Sequence, residues 1–218
     1  MPAPLPVRAV IFDFNGTLSH DEPILCEIFC ELFAEHGRPL SAQDYFDELA
    51  GLSDPEIVGT WLGREHPAVE EVIERRIERY LELVADGSSV PERVRGALRY
   101  AAARVPVAIV SGAARAEIET VIEAAGLGDT VGAILAAEDV DDGKPHPAGY
   151  LRALELLDDG LDASEVLVFE DTEAGVASAK AAGMRCFAVL GTLAATRLAA
   201  ADEIVPAIDI KLMQRVLV

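Results

Sequence analysis

The sequence predicts an α/β protein: a parallel sheet with helices on both faces, interrupted after its first strand by an all-helical insertion. Three observations carry this. Short apolar runs rich in Val and Ile recur along the chain. Helical periods separate the later runs. Between Leu18 and about Val90 the runs stop and only helical patterns remain. Strands that are apolar throughout, rather than alternating, lie in a sheet covered on both sides, and strand–helix alternation makes that sheet parallel.

The elements follow in order. Val7 to Phe12 (VRAVIF) reads as a buried strand ending at Asp13 and a glycine turn. Pro23 to His36 is helical in period and stops at Gly37. Ser41 to Ala50 follows, with Ser41 suited to an N-cap and Gly51 to a stop. Asp54 to Leu62 is a short helix, and Pro67 to Ala85 a long amphipathic one stopped by Gly87. Asp86 to Pro91 (DGSSVP) reads as the return hinge. Strands are then expected at Val105 to Val110, Val131 to Leu135, Val166 to Phe169 and Cys186 to Leu190. Helices are expected at Ala113 to Ala125, Pro147 to Leu157 and Glu173 to Ala182. The division expected is a discontinuous α/β core over 1–17 and 91–218, with a helical unit over 18–90.

Composition narrows the function classes. The 218 residues carry 38 acidic and 18 basic side chains, a formal net charge of −20. That excess disfavours a nucleic-acid backbone or an anionic membrane as partner. No run approaches the roughly 18 apolar residues of a membrane span, and Met1 to Arg8 lacks the pattern of a secretory signal. A cytoplasmic monomer is expected. Cys26 and Cys30, four apart, and the isolated Cys186 read as small core residues of a reducing compartment. Only three lysines occur, at 144, 180 and 211.

Chemistry collects just beyond the carboxyl ends of strands in an open parallel sheet. The first strand ends in Asp13-Phe14-Asn15-Gly16-Thr17-Leu18, the second in Ser111-Gly112, and the fourth in Glu170-Asp171. The loop after the third holds Gly143-Lys144-Pro145. One Asp at a strand end is commonly a turn former; four polar sites in this order point to one reaction.

Those residues resemble the haloacid dehalogenase superfamily, in its phosphoglycolate-phosphatase-like and β-phosphoglucomutase-like branch. Gly143-Lys144-Pro145-His146-Pro147 and Phe169-Glu170-Asp171-Thr172-Glu173-Ala174-Gly175 resemble two further motifs of that branch, and Glu35-His36-Gly37 with Gly51-Leu52-Ser53-Asp54 resembles its helical cap. The resemblance implies a Rossmann-like core, a cap, and Mg²⁺-dependent hydrolysis of a small phosphorylated metabolite. It implies Asp13 as nucleophile, forming an aspartyl-phosphate. It implies magnesium held by the Asp13 carboxylate, the Asn15 backbone carbonyl and Asp171, with Glu170 orienting a bound water or assisting directly. Lys144 would balance Asp13 and the phosphoryl oxygens, and Ser111 with N–H groups near Gly112 would bind a phosphoryl oxygen. Gly16, Thr17, Arg115 and His20 complete the expected substrate-side set.

One position departs from that pattern. The first motif of the family reads Asp-x-Asp-x-Thr, and its second aspartate acts as acid and base; here it is Asn15. An amide cannot exchange a proton at working pH, and losing a general acid–base costs about 10²- to 10⁴-fold. Four explanations stand: a slow phosphatase or one restricted to good leaving groups such as acyl phosphates, a non-catalytic phosphometabolite binder, an introduced Asp→Asn change in a phosphatase or phosphoglucomutase, or a deamidation-prone Asn15-Gly16. The absence of lysine between Leu18 and Val90 opposes phosphonate-cleaving Schiff-base chemistry. In the insertion, Arg38, Arg64 and Trp61 join His20 as substrate candidates, Trp61 being expected in the core. Arg75, Arg76 and Arg79 are expected on a solvated face, paired with the neighbouring glutamates.

Overall fold

A computed structural model describes residues 6–158 and 160–217. Most of Met1 to Arg8, on which the reading of the N-terminus rests, lies outside them.

Six strands form one parallel sheet in the order β3-β2-β1-β4-β5-β6. They are β1 (Ala9–Phe12), β2 (Val107–Val110), β3 (Ala133–Leu135), β4 (Val166–Glu170), β5 (Arg185–Val189) and β6 (Glu203–Val205). The first five fall inside or within one residue of the expected runs. The chain moves outward from β1 in one direction through β2 and β3, and in the other through β4, β5 and β6. The order therefore reverses between β1 and β4, and a crevice opens at the carboxyl ends of those two strands.

Alternate residues of the central strands feed two cores. Val10 and Phe12 of β1 and Val107 and Ile109 of β2 face one side; Ala9, Ile11, Ala108 and Val110 face the other. The first side is covered by α5 (Glu92–Ala102), α6 (Arg115–Ala124) and α9 (Ile210–Val216). The second is covered by α7 (Ala148–Leu157) and α8 (Glu173–Ala181). Burial on both faces explains why these strands are apolar throughout.

Between β1 and α5 lie α1 (Glu22–Glu35), a short α2 (Ala42–Asp44), α3 (Asp54–Trp61) and α4 (Val69–Val84). Helix α2 runs on into a π-helical turn over Tyr45–Leu49, so Ser41 to Ala50 is not one regular α-helix. Helix α4 packs on α1 and α3, and it also reaches α6 of the sheet-bearing part. Cys26 is buried, Cys30 partly buried and Cys186 buried, all free thiols. No described helix is long and apolar enough to cross a membrane.

Candidate active site

The crevice between β1 and β4 sets the first two groups. The Asp13 N–H donates to Phe169 O at 2.9 Å, which holds the residue after β1 level with the end of β4. The chain then turns back on itself: N–H groups of Leu18 and Ser19 donate to Phe14 O, both at 2.9 Å. Gly16 sits at φ +72°, and a Cβ there would lie 2.0 Å from Asp171 Oδ2. Only glycine lets this turn approach Asp171 so closely. Gly175 does the same for Glu170, whose carboxylate a Cβ would meet at 1.9 Å.

Lys144 joins these strand ends. Its Nζ lies 2.5 Å from Asp13 Oδ1 and 2.5 Å from Glu170 Oε1. Glu170 is fully buried and takes further hydrogen bonds from Tyr150 Oη at 2.5 Å and from the Asp171 N–H at 3.2 Å. Asp171, also fully buried, accepts from Thr17 Oγ1 at 3.2 Å on Oδ1, while its Oδ2 has no hydrogen-bond partner.

Three carboxylates around one ammonium leave the cluster short of positive charge. Burial pushes Asp13 up to about 7, with the adjacent Lys144 opposing the rise. Burial, then Asp13 and Glu170, raise Asp171 well above the ordinary range. Burial alone would lower Lys144, but Asp13 and Glu170 raise it on balance, so it stays charged. Carboxylate oxygens of Asp13, Glu170 and Asp171 lie within 4.8 Å of one another. Hard oxygen donors, a charge deficit and the orphaned Asp171 Oδ2 together fit a hard divalent cation.

A cavity of about 700 Å³ opens from this floor toward the helical insertion. Asp13, Asn15, Ser111, Gly112, Lys144 and Asp171 line its floor. Ser111 is buried, and its Oγ accepts from the Ala113 N–H at 3.1 Å. Gly16 and Thr17 back the floor without lining the cavity. Two expected substrate residues lie elsewhere. His20 is exposed, its ring 3.5 Å from Arg93 Nη2. Arg115 is held by Asp139 at 2.5 Å and Ile134 O at 3.1 Å, so its guanidinium is turned to the surface of the β3 loop.

The roof differs from the expected set. Arg38 and Arg64 are exposed, and Trp61 stacks on Phe33 while donating to Arg38 O at 2.8 Å. None of the three lines the cavity. Instead Glu22, Tyr45, Asp54 and Arg76 face it, with Phe29, Ile73 and Ile77 as apolar wall. Arg75 and Arg79 do pair on the surface, with Glu35 and Glu31. Arg76 does not: it is 4 % exposed and bonded to Asp54 of α3 and Glu117 of α6. A signal for this was present, because Val72, Arg76, Tyr80 and Val84 recur every four residues and all four are buried.

Asn15 has a definite partner. Its Nδ2 donates to Asp21 Oδ2 at 2.9 Å, and Asp21 is fully buried, also accepting from Tyr80 Oη and from the Gly16 N–H at 3.3 Å. Among the described residues no donor reaches Asn15 Oδ1.

Comparison with known proteins follows the same lines. The model of the haloacid dehalogenase-like hydrolases matches residues 7–183. The chain is 32 % identical over 191 residues to the protein CbbY of Rhodobacter capsulatus, covering 82 % of this chain and 83 % of that one. It is 30 % identical over 193 residues to hexitol phosphatase B of Escherichia coli K12, covering 87 % and 86 %. A crystal structure of a CbbY variant from Rhodobacter sphaeroides, in complex with xylulose-(1,5)bisphosphate, superposes with a TM-score of 0.82 at 25 % identity, covering 93 % of this chain and 95 % of that one.

Proposed function

The chain belongs to the haloacid dehalogenase-like hydrolase family, and we propose that it is a magnesium-dependent phosphatase of small phosphorylated metabolites that works through an aspartyl-phosphate. The observation that carries this is the Lys144 ammonium, 2.5 Å from both Asp13 and Glu170, beside an Asp171 oxygen without a partner, all on the floor of one cavity.

Each residue then has a task. An oxygen of Asp13 attacks phosphorus, and the bond to the leaving oxygen breaks. Lys144 holds Asp13 in place and offsets charge on the phosphoryl oxygens, while Ser111 Oγ and the Gly112 N–H bind one of those oxygens. The Asp13 and Asp171 carboxylates and the Asn15 backbone carbonyl would hold magnesium, with Glu170 fixed behind them by Lys144 and Tyr150. When bound, the ion supplies positive charge against the phosphate dianion. The helical insertion, 18–90, acts as a cap over the core of 1–17 and 91–218, excluding water and contacting the substrate beyond its phosphate. We place the protein in the cytoplasm as a monomer.

Asn15 sets the limits of the reaction. Its Nδ2 is committed to Asp21, and the amide offers no exchangeable proton. Substrates with good leaving groups, such as acyl phosphates, are therefore favoured. The same residue supports one alternative, a non-catalytic protein that binds phosphorylated metabolites. Phosphate release from acetyl phosphate and a panel of alkyl phosphates, with Mg²⁺, separates the two. Release by the parent and loss in Asp13→Ala supports the enzyme; no release from any substrate supports the binder. With an alkyl phosphate, Asn15→Asp is expected to raise turnover by about tenfold or more. No gain would contradict the role given to Asn15.

A further inference from the structure

A cavity that breaks a phosphate ester but carries an amide at the acid–base position needs a proton from elsewhere. Asp21 is shut off from the cavity and takes three donors, from Asn15, Tyr80 and Gly16. Asp54 lines the cavity but is bonded to Arg76. Lys144 is committed to Asp13 and Glu170. Glu22 is different.

Glu22 opens α1, directly after the turn that carries Asp13 and Asn15. It is 8 % exposed, and it lines the same cavity as both of them. Tyr45 Oη donates to its Oε2 at 3.1 Å. Among the described residues no donor reaches Oε1, and no cation is paired with the carboxylate. The charged groups that act on it are Asp21, Asp13 and Asp171, which oppose its ionisation, and Arg76, which favours it. Burial, then Asp21, pushes Glu22 up to about 7. A carboxyl group in that range holds a proton part of the time at neutral pH and can both give and take one.

We propose that Glu22 protonates the leaving oxygen of the substrate and then serves as base toward water, the two tasks that Asn15 cannot perform. This rests on the phosphatase reading above. In the first step an Asp13 oxygen bonds to phosphorus, the phosphorus–oxygen bond to the organic group breaks, and the Glu22 proton passes to the departing oxygen, leaving an alcohol. In the second, Glu22 takes a proton from water as its oxygen bonds to phosphorus and the bond to Asp13 breaks. Phosphate leaves, and Glu22 is protonated as at the start.

A leaving group that departs as a stable anion needs no proton, so the assignment has a signature that a packing or binding role lacks. The single-turnover rate of the first step, release of acetate from acetyl phosphate and of glycerol from glycerol 2-phosphate with Mg²⁺ and the protein in excess, is compared in the parent, Glu22→Gln, Asn15→Asp and the double variant. Glu22→Gln, the same size and still able to accept from Tyr45, is expected to lose about 10²- to 10³-fold with the alkyl ester. The loss with acetyl phosphate is expected to be at least tenfold smaller. Asn15→Asp in the Glu22→Gln background is expected to restore most of the alkyl activity, a larger gain than in the parent. Melting curves of all four proteins check that each is folded. Equal losses with both esters, no restoration by Asn15→Asp, or a parent that cleaves acetyl phosphate but no alkyl ester would each overturn the role of Glu22 and leave the phosphatase reading intact. Absence of Asp13-dependent release from every ester would remove that reading and the assignment together.

Discussion

Two buried clusters in this protein have the same plan, one cation between two carboxylates. Lys144 sits between Asp13 and Glu170 at the ends of β1 and β4. Arg76 sits between Asp54 and Glu117, where the helical insertion meets α6. They differ in what surrounds them. The Lys144 cluster has a third carboxylate, Asp171, with one oxygen unsatisfied, so with all three carboxylates ionised it is two charges negative. The Arg76 cluster with both carboxylates ionised is one charge negative, and its Glu117 also caps the start of α6 by accepting from the Ala114 N–H at 3.1 Å. An unbalanced cluster beside a cavity demands a ligand. A nearly balanced one across a boundary ties two parts of the chain together.

The largest expected effect falls on the first cluster. Asp13→Ala removes the proposed nucleophile and is expected to lower phosphate release on the order of 10⁴-fold or more. Lys144→Met is expected to lower kcat by about 10²- to 10³-fold, because in the proposed reaction it removes the charge that offsets the transferring phosphoryl group. Steady-state phosphate assays read both.

In the second cluster the effect moves to stability. Arg76→Met leaves Asp54 and Glu117 buried without a cation and is expected to cost about 3–5 kcal/mol. At about 2–4 °C per kcal/mol for a chain of this size, thermal melting would fall by roughly 6 °C or more. Adding Glu117→Gln to Arg76→Met is expected to recover part of that loss. If Arg76→Met instead left melting unchanged and abolished turnover, the contrast between the clusters would be wrong.

A divalent ion sharpens the contrast further. Mg²⁺ at about 100 times its dissociation constant is expected to stabilise the parent by about 2.7 kcal/mol, and chelation to reverse it. Asp171→Asn is expected to remove that response, and Arg76→Met to keep it. Differential scanning calorimetry with and without the ion decides.

The last effect is with pH. Burial raises Glu22, Glu117 and Asp13 each to about 7, above the roughly 4 of a carboxyl group in an unfolded chain. Between those values the native state holds more protons than the unfolded one, so stability falls as pH rises through that window. Melting in metal-free buffer is expected to drop between about pH 5 and about pH 7.5, and Glu22→Gln to flatten the drop.

The same contrast separates what was legible in the sequence from what was not. The floor of the cavity was legible because its groups stand at strand ends: Asp13, Ser111 and Glu170 each close an apolar run that can only be a buried strand. The roof was not. Glu22 looks like an acidic residue favouring a helix start, and Arg76 like its exposed neighbours Arg75 and Arg79, until the burial of Val72, Tyr80 and Val84 places it on the inner face. His20 and Arg115 stood near the motifs in sequence but are turned away by local partners, Arg93 in one case and Asp139 in the other. In the fold, α5, α9 and β6 escaped. Helix α5 buries Ala97 and Ala101 beside Val94 and Leu98, too small an apolar stripe among its charges to stand out. Strand β6 has three residues, too few for a period. The π-helical turn at Tyr45–Leu49 is a local departure that helical periodicity does not register.

The most direct test is whether Asp13 becomes phosphorylated. The protein is mixed with acetyl phosphate and Mg²⁺, quenched in acid within one turnover, and read by intact and peptide mass spectrometry. The account predicts the mass gain of one phosphoryl group on the peptide containing Asp13, absent in Asp13→Ala. Phosphate release by the parent with no such adduct, or the same adduct in Asp13→Ala, would contradict it.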